Sequence, residues 1–265
     1  MEAFVNYKNT KIHYRAQGSG TTVVLLHGFL ENISMWATTV DMLSQRYRVV
    51  CVDLLGHGKT ENMGYVHGMV QMAECVKEVL NVLKIRKSIL VGHSMGGYVA
   101  LAFAELYPDN VKGICLMNST SRADTPEKQK NRDKAIAIVK QNHNAFIRNS
   151  IPMLFRSKNR RLFREEINEV KREALNTSKQ GIIAALEGMK IRQDREVLLH
   201  FGPYPKMLII GEKDPVLNLN DLLSQVENTN IEVVRLSEGH MSHIENKKEF
   251  RAVLTSFIKT CVFKN

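Results

Sequence analysis

The feature that most narrows what this chain can fold into is the stretch Val91-Gly92-His93-Ser94-Met95-Gly96-Gly97. Ahead of it, Ser88-Ile89-Leu90-Val91 is a short apolar run with the pattern of a buried strand. Behind it, residues 98–107 are small and apolar, a helix stopped at Pro108. Strand, sharp turn and helix with a Ser at the apex is the context a G-x-S-x-G match requires before it carries chemistry. A Ser held at positive φ in such a turn costs about 1–3 kcal/mol. Its neighbours two residues either side must lack a Cβ so that the chains can pass, and Gly92 and Gly96 meet that need. Ser94 then projects above the sheet edge at a helix N-terminus, where negative charge is favoured.

The rest of the chain supplies a sheet for that turn. Residues 3–16 alternate around Lys8-Asn9-Thr10, a hairpin. Thr22-Val23-Val24-Leu25-Leu26 is a continuous apolar run, hence a strand buried on both faces, and it ends in His27-Gly28-Phe29. A helix over 35–44 precedes a second buried strand over 47–52, which ends in Asp53-Leu54-Leu55-Gly56-His57-Gly58. Apolar residues at 69, 72, 73, 76, 79, 80 and 83 mark a helix over 69–85. Residues 111–117 form another strand. From 119 to 200 buried strands vanish and amphipathic helices take over, the first opened by Thr125-Pro126. A second helix runs through Leu162, Phe163, Ile167, Val170 and Ala174, and a third carries Ile182, Ile183, Leu186 and Met189. Alternation then resumes, with strands over 206–211 and 231–236 and helices over 218–226 and 245–260. Strands alternating with helices predict an α/β fold with a mostly parallel sheet and helices on both faces.

The ordered motifs resemble those of the α/β-hydrolase superfamily over essentially the whole chain. His27-Gly28-Phe29, Asp53-Leu54-Leu55-Gly56-His57-Gly58 and the Ser94 elbow come first, followed by Gly211-Glu212-Lys213-Asp214-Pro215 and Gly239-His240-Met241-Ser242-His243-Ile244-Glu245. The resemblance implies an eight-stranded, mostly parallel sheet with a helical cap between strands 6 and 7. The core is then 1–118 and 201–265, and the cap is 119–200. It also implies roles. Ser94 is the nucleophile, His240 the base and Asp214 the acid, in the chain order this fold uses. The N–H groups of Phe29 and Met95 are the oxyanion donors.

The residue types fit those roles. A Ser hydroxyl needs an adjacent base, and the base needs an orienting acceptor. Asp214 follows a buried strand, at the sheet edge where such folds place ligands, although a helix cap would equally suit an Asp. His243 is the rival base, read here as a supporting residue. Met117-Asn118-Ser119, another place where relatives carry the acid, offers no carboxylate. Asp53, Gly56, His57 and Gly58 read as loop architecture, and Trp36 as core.

Charge and composition narrow the activity. The formal charge is +10, and residues 121–200 hold 18 Lys and Arg against 10 Asp and Glu. Those cations are read as solvated helix faces over an apolar roof formed by Met153, Leu154, Phe155, Ile182, Ile183, Leu186 and Met189, which suits a neutral acyl chain. Without aromatic interleaving or a binding motif, no nucleic-acid partner is expected. No run approaches 18 apolar residues, so no stable membrane insertion is expected either. Four scattered cysteines without a C-x-x-C point to reduced thiols in the cytoplasm. The expected activity is carboxylic ester hydrolysis of a small or medium substrate, without a cofactor, by a monomer or homodimer. Enol-lactone, thioester or C–C bond hydrolysis, or ligand reception on the same scaffold, remain open.

Overall fold

The computed structural model describes residues 1–263. Eight strands form one sheet: β1 (Glu2–Tyr7), β2 (Thr10–Gln17), β3 (Thr22–Leu26), β4 (Arg48–Val52), β5 (Ser88–His93), β6 (Val111–Met117), β7 (Lys206–Gly211) and β8 (Glu232–Leu236). Their order is β1-β2-β4-β3-β5-β6-β7-β8. β1 and β2 pair antiparallel, as the hairpin reading requires, and β2 joins β4 antiparallel. Every pairing from β4 to β8 is parallel.

Alternation along the central strands feeds two cores. Val23 and Leu25 of β3 pack with Val49 and Cys51 against α1 (Ala37–Leu43) and the closing helix. Val24 and Leu26 face the other way, toward α2 (Met69–Val82) and α3 (Met95–Leu106). Because both faces are covered, these strands read as unbroken apolar runs. The predicted helix over 35–44 begins as a 3-10 turn, Ile33–Trp36, opened by the Asn32 side chain accepting from the Ser34 N–H. Trp36 is fully buried, as expected of a core residue.

Four helices stand between β6 and β7: α4 (Pro126–Met153), α5 (Arg164–Ala174), α6 (Lys179–Lys190) and α7 (Glu196–Phe201). Thr125 caps α4 by accepting from the Lys128 N–H, and Ser178 caps α6 through the Gly181 N–H. α4 kinks at Asn142, whose φ of −153° and ψ of 88° leave the helical region. α6 lies flush on the core. The His67 N–H donates to the Ala184 carbonyl at 2.9 Å. A Cβ at Gly188 would stand 1.8 Å from the His67 carbonyl oxygen, so only glycine allows that approach. Phe155, Ile182, Leu186 and Met189 are buried, Leu154 and Ile183 partly so. Met153 departs from the expected apolar roof and stands 62% exposed at the end of α4.

β7 and β8 are separated by α8 (Leu219–Ser224), and the chain closes through α9 (Ser242–Glu245) and α10 (Lys247–Phe263). The closing helix predicted over 245–260 is α10, which starts two residues later; α9 is a separate short turn before it, parted from it at Asn246, which leaves the helical region at φ −123° and ψ 40°. The Asn246 side chain accepts from the Glu238 N–H, so the break steadies the loop that runs from β8 to His240.

Candidate active site

The carboxyl ends of β3, β5, β6, β7 and β8 meet along one edge of the sheet, and the candidate residues lie in the loops that leave it. Ser94 stands between β5 and α3 with φ 48° and ψ −113°. Its N–H donates to the Met117 carbonyl at 3.0 Å. Its carbonyl accepts from the Gly97 N–H at 3.0 Å and from Ser119 Oγ at 2.7 Å. A Cβ at Gly92 would lie 2.4 Å from the Gly96 carbonyl oxygen, and one at Gly96 would lie 2.3 Å from that of Leu26. The glycine requirement read from the sequence is therefore a matter of backbone against backbone. Leu30 (φ 63°) and Asn118 (φ 45°) share the left-handed conformation, so strain gathers after β3, β5 and β6.

Asp214 and His240 are in contact, with His240 Nδ1 2.7 Å from Asp214 Oδ2. The same oxygen accepts from Asn118 Nδ2 at 3.0 Å, while Oδ1 accepts the N–H groups of Val216 (2.7 Å) and Leu217 (3.1 Å). Asp214 thus caps its own loop and orients an imidazole at once. Burial would raise its carboxyl, but the charge and hydrogen bond of His240 and the other donors hold it below the usual carboxylate range. His240 sits against the elbow: its ring lies 5.0 Å from that of His93, the residue before Ser94, and its carbonyl lies 3.1 Å from His93 Nε2. His243 does not reach Asp214. It is buried between the rings of His93 and Trp36, and burial pushes its imidazole down to about 3, so it is neutral at physiological pH.

The N–H groups of Phe29 and Met95 donate to no acceptor among the described residues. Met95 opens α3, whose first-turn donors are orphaned by geometry. The Phe29 turn is held from behind by Glu31, whose Oε2 accepts the Gly28 N–H at 2.7 Å and lies 2.7 Å from His93 Nδ1. Glu31 and His93 are buried. Burial disfavours both charges, yet their attraction prevails: His93 is raised and Glu31 lowered from its ordinary value, an ion pair beneath the site.

Comparison with known proteins agrees with this architecture. A family model described as the alpha/beta hydrolase fold matches residues 21–247. The chain belongs to that family. A thermophilic esterase from Thermogutta terrifontis, solved with malate bound, superposes with a TM-score of 0.92 at 26% identity, covering 98% of this chain and 99% of that one. A candidate 2-succinyl-6-hydroxy-2,4-cyclohexadiene-1-carboxylate synthase of Bacillus subtilis (strain 168) is 28% identical over 89% of each chain. A pimeloyl-[acyl-carrier protein] methyl ester esterase of Pseudoalteromonas atlantica is 38% identical, over 48% of this chain and 46% of that protein.

Within this α/β hydrolase, Asp53 and His57 are loop architecture, as their sequence context suggested. Asp53 is buried and accepts the N–H groups of Ile33 and Lys59, with His13 at 2.7 Å. The sequence reading missed Glu31 and Asn118. Asn118 joins the acid and base loops, donating to Asp214 and to the Gly239 carbonyl and accepting from Ser242 Oγ at 2.7 Å. Neither role could be read locally, because His93, the charge partner of Glu31, and all three partners of Asn118 lie tens of residues away.

A cavity of about 350 Å³ opens beside these loops. Its floor includes Phe29, Tyr98 and Leu217, and its far wall includes Phe146 and Leu154 of the helical segment. Leu154 is tied to the candidate base, since its carbonyl accepts the His240 N–H at 3.2 Å. The wall is not wholly apolar. Asp124, Lys128, Arg132 and Arg192 line it too, which corrects the solvated-face reading for these three cations, while Lys130, Lys134, Lys140, Arg148, Arg161 and Arg164 are exposed as expected. The expectation failed because Arg192 lies in a turn after α6, outside any helical periodicity, and Lys128 and Arg132 share the α4 face that bears Ala135.

Proposed function

We propose that this protein is a serine hydrolase that cleaves a carboxylic ester of a small or medium substrate through an acyl-enzyme. Ser94 Oγ attacks the carbonyl carbon while His240 Nε2 takes its proton, and Asp214 orients and stabilises the imidazolium. The N–H groups of Met95 and Phe29 receive the oxyanion, each donor contributing about 3 kcal/mol to the transition state. Collapse expels the alcohol, which takes the proton from His240. Water, deprotonated by His240, then attacks the acyl-enzyme and releases the acid, restoring Ser94.

The observation that carries this reading is the strained Ser94 elbow sharing one sheet edge with the Asp214–His240 pair, the ring of its neighbour His93 lying 5.0 Å from that of His240. The esterase neighbour and the methyl ester esterase relative support an ester as the bond cleaved. Residues 119–200 act as a cap over a core of 1–118 and 201–265, a division supported by the cavity lined from both. Four buried cysteines fit a reducing cytoplasm, where the protein works as a monomer or homodimer. A fluorophosphonate probe tests the nucleophile. It should label the protein once, and Ser94→Ala should abolish labelling with the fold retained. Labelling that survives in the mutant assigns the chemistry elsewhere.

A further inference from the structure

The cavity lined by Phe29 and Leu217 carries more positive charge than its own carboxylate neutralises. Asp124 is almost wholly buried and shared between two guanidiniums: its Oδ1 accepts from Arg192 Nη1 at 2.6 Å and its Oδ2 from Arg132 Nε at 2.8 Å. Arg192 is fixed further by the Met189 and Arg122 carbonyls and lies over the Tyr98 ring at 4.1 Å. Its side chain is only 3% exposed. Arg132 spends Nε on Asp124, and its terminal nitrogens have no acceptor among the described residues. Lys128, one turn earlier on the same face of α4, forms no ion pair among them. Three cations thus face one carboxylate.

Like charges four residues apart on a helix repel, so Lys128 and Arg132, both half-buried, favour an anion placed between them. A guanidinium fork with unspent N–H groups matches a planar carboxylate. The remaining lining is mostly apolar, with Asn131 and Ser150 its polar members: Phe29, Leu30, Tyr98, Leu154, Val216 and Leu217 lie toward the Ser94 loops, while the cations lie on α4 and after α6. We infer that the cavity takes an ester bearing a carboxylate some carbons from the scissile bond, with its chain on the apolar lining and its carboxylate on Lys128, Arg132 and Arg192. The inference rests on the serine-hydrolase reading and specifies its substrate class.

The test compares three size-matched esters: methyl 5-methylhexanoate, monomethyl glutarate, with the charge on the acyl side, and the butanoyl ester of glycolate, with the charge on the alcohol side. One of the charged esters should exceed the neutral ester in kcat/KM by roughly tenfold, the effect of one charge-assisted hydrogen-bonding site. Which of the two wins tells which half of the substrate occupies the cavity. Arg132→Gln and Lys128→Gln should each lower that ratio several-fold, and Arg132→Lys should restore part of it. Lys128 has no ion-pair partner to orphan, so its variant keeps the test valid if Arg132→Gln fails to fold. Equal kcat/KM for all three esters, or a ratio unmoved by Lys128→Gln, overturns the inference. Calorimetry of glutarate on Ser94→Ala separates this result from the catalytic reading. If fluorophosphonate labelling fails while glutarate binds and Lys128→Gln weakens it, the hydrolase assignment falls and the anion site stands. Labelling at Ser94 without measurable glutarate binding or charged-ester preference has the opposite meaning.

Discussion

The loops at the sheet edge and the helices over them are built to different rules. Around Ser94, backbone meets backbone: Gly92 and Gly96 admit no Cβ, and Asp214 has both carboxylate oxygens occupied. The helical segment is pinned closely along α6, whereas α4 kinks at Asn142 and ends with Met153 exposed. A few of its polar side chains, Lys128, Arg132 and Arg192 among them, line the cavity. Rigidity sits where a reacting atom must be held within a fraction of an ångström, and latitude sits where a substrate must be admitted. Under the proposed function, the edge sets the reaction and the helices set what reaches it.

The largest effect that could break this contrast lies in the two histidines. His240→Ala should lower kcat by about 10⁴-fold in ester hydrolysis, because it removes the proposed base, the imidazole in contact with Asp214. His243→Ala should cost less than about tenfold, since His243 is neutral and its ring packs against those of His93 and Trp36. Similar losses in steady-state assays of both variants would show that the edge does not distinguish a working imidazole from a packed one.

Next is the backbone itself. Gly96→Ala should destabilise the protein by about 3 kcal/mol in urea titration, as overpacking against a main-chain oxygen cannot be relieved by a rotamer change. At Gly68 an added Cβ would meet nothing within 4 Å, so Gly68→Ala should cost only what Ala loses to Gly at an N-cap, less than about 1 kcal/mol. A mild Gly96 variant would mean that the elbow has slack.

The Glu31–His93 pair gives a pH-dependent test. His93 is raised from its ordinary 6.5, so its contribution is full below that pH and is lost as pH rises through the higher folded value. Glu31 is lowered from 4.5, so its contribution is present above that pH and fades on acidification. Glu31→Gln should therefore cost most, about 3 kcal/mol, between these two values. The cost should shrink on the alkaline side when denaturant midpoints are compared across pH. A cost that does not change with pH would reduce Glu31 to a hydrogen-bond acceptor for Gly28.

The smallest effect belongs to the helices. Met153→Gln should change stability by less than about 0.5 kcal/mol, as at other exposed sites. Phe155→Ala, two residues on and fully buried, should cost about 4 kcal/mol in the same thermal or urea measurement. The pair sharpens where the segment stops being surface and becomes core.

Much of this was written locally. The unbroken apolar run of β3, the glycines two residues either side of Ser94, and the Pro at the start of α4 each act on their immediate neighbours, so the chain alone specified the parallel sheet, the elbow and the helical insertion. Asp214 and His240 were legible as candidates because each follows a strand in an ordered set of motifs, and their contact at 2.7 Å fits that reading. Three things only the tertiary structure decided. Asn118 meets Asp214 across 96 residues and Glu31 meets His93 across 62, and no local pattern encodes a partner so distant. The direction of Lys128, Arg132 and Arg192 was settled by how α4 and α6 pack over the sheet edge. Helical spacing tells which residues share a face; only packing tells whether that face meets water, a core or a cavity.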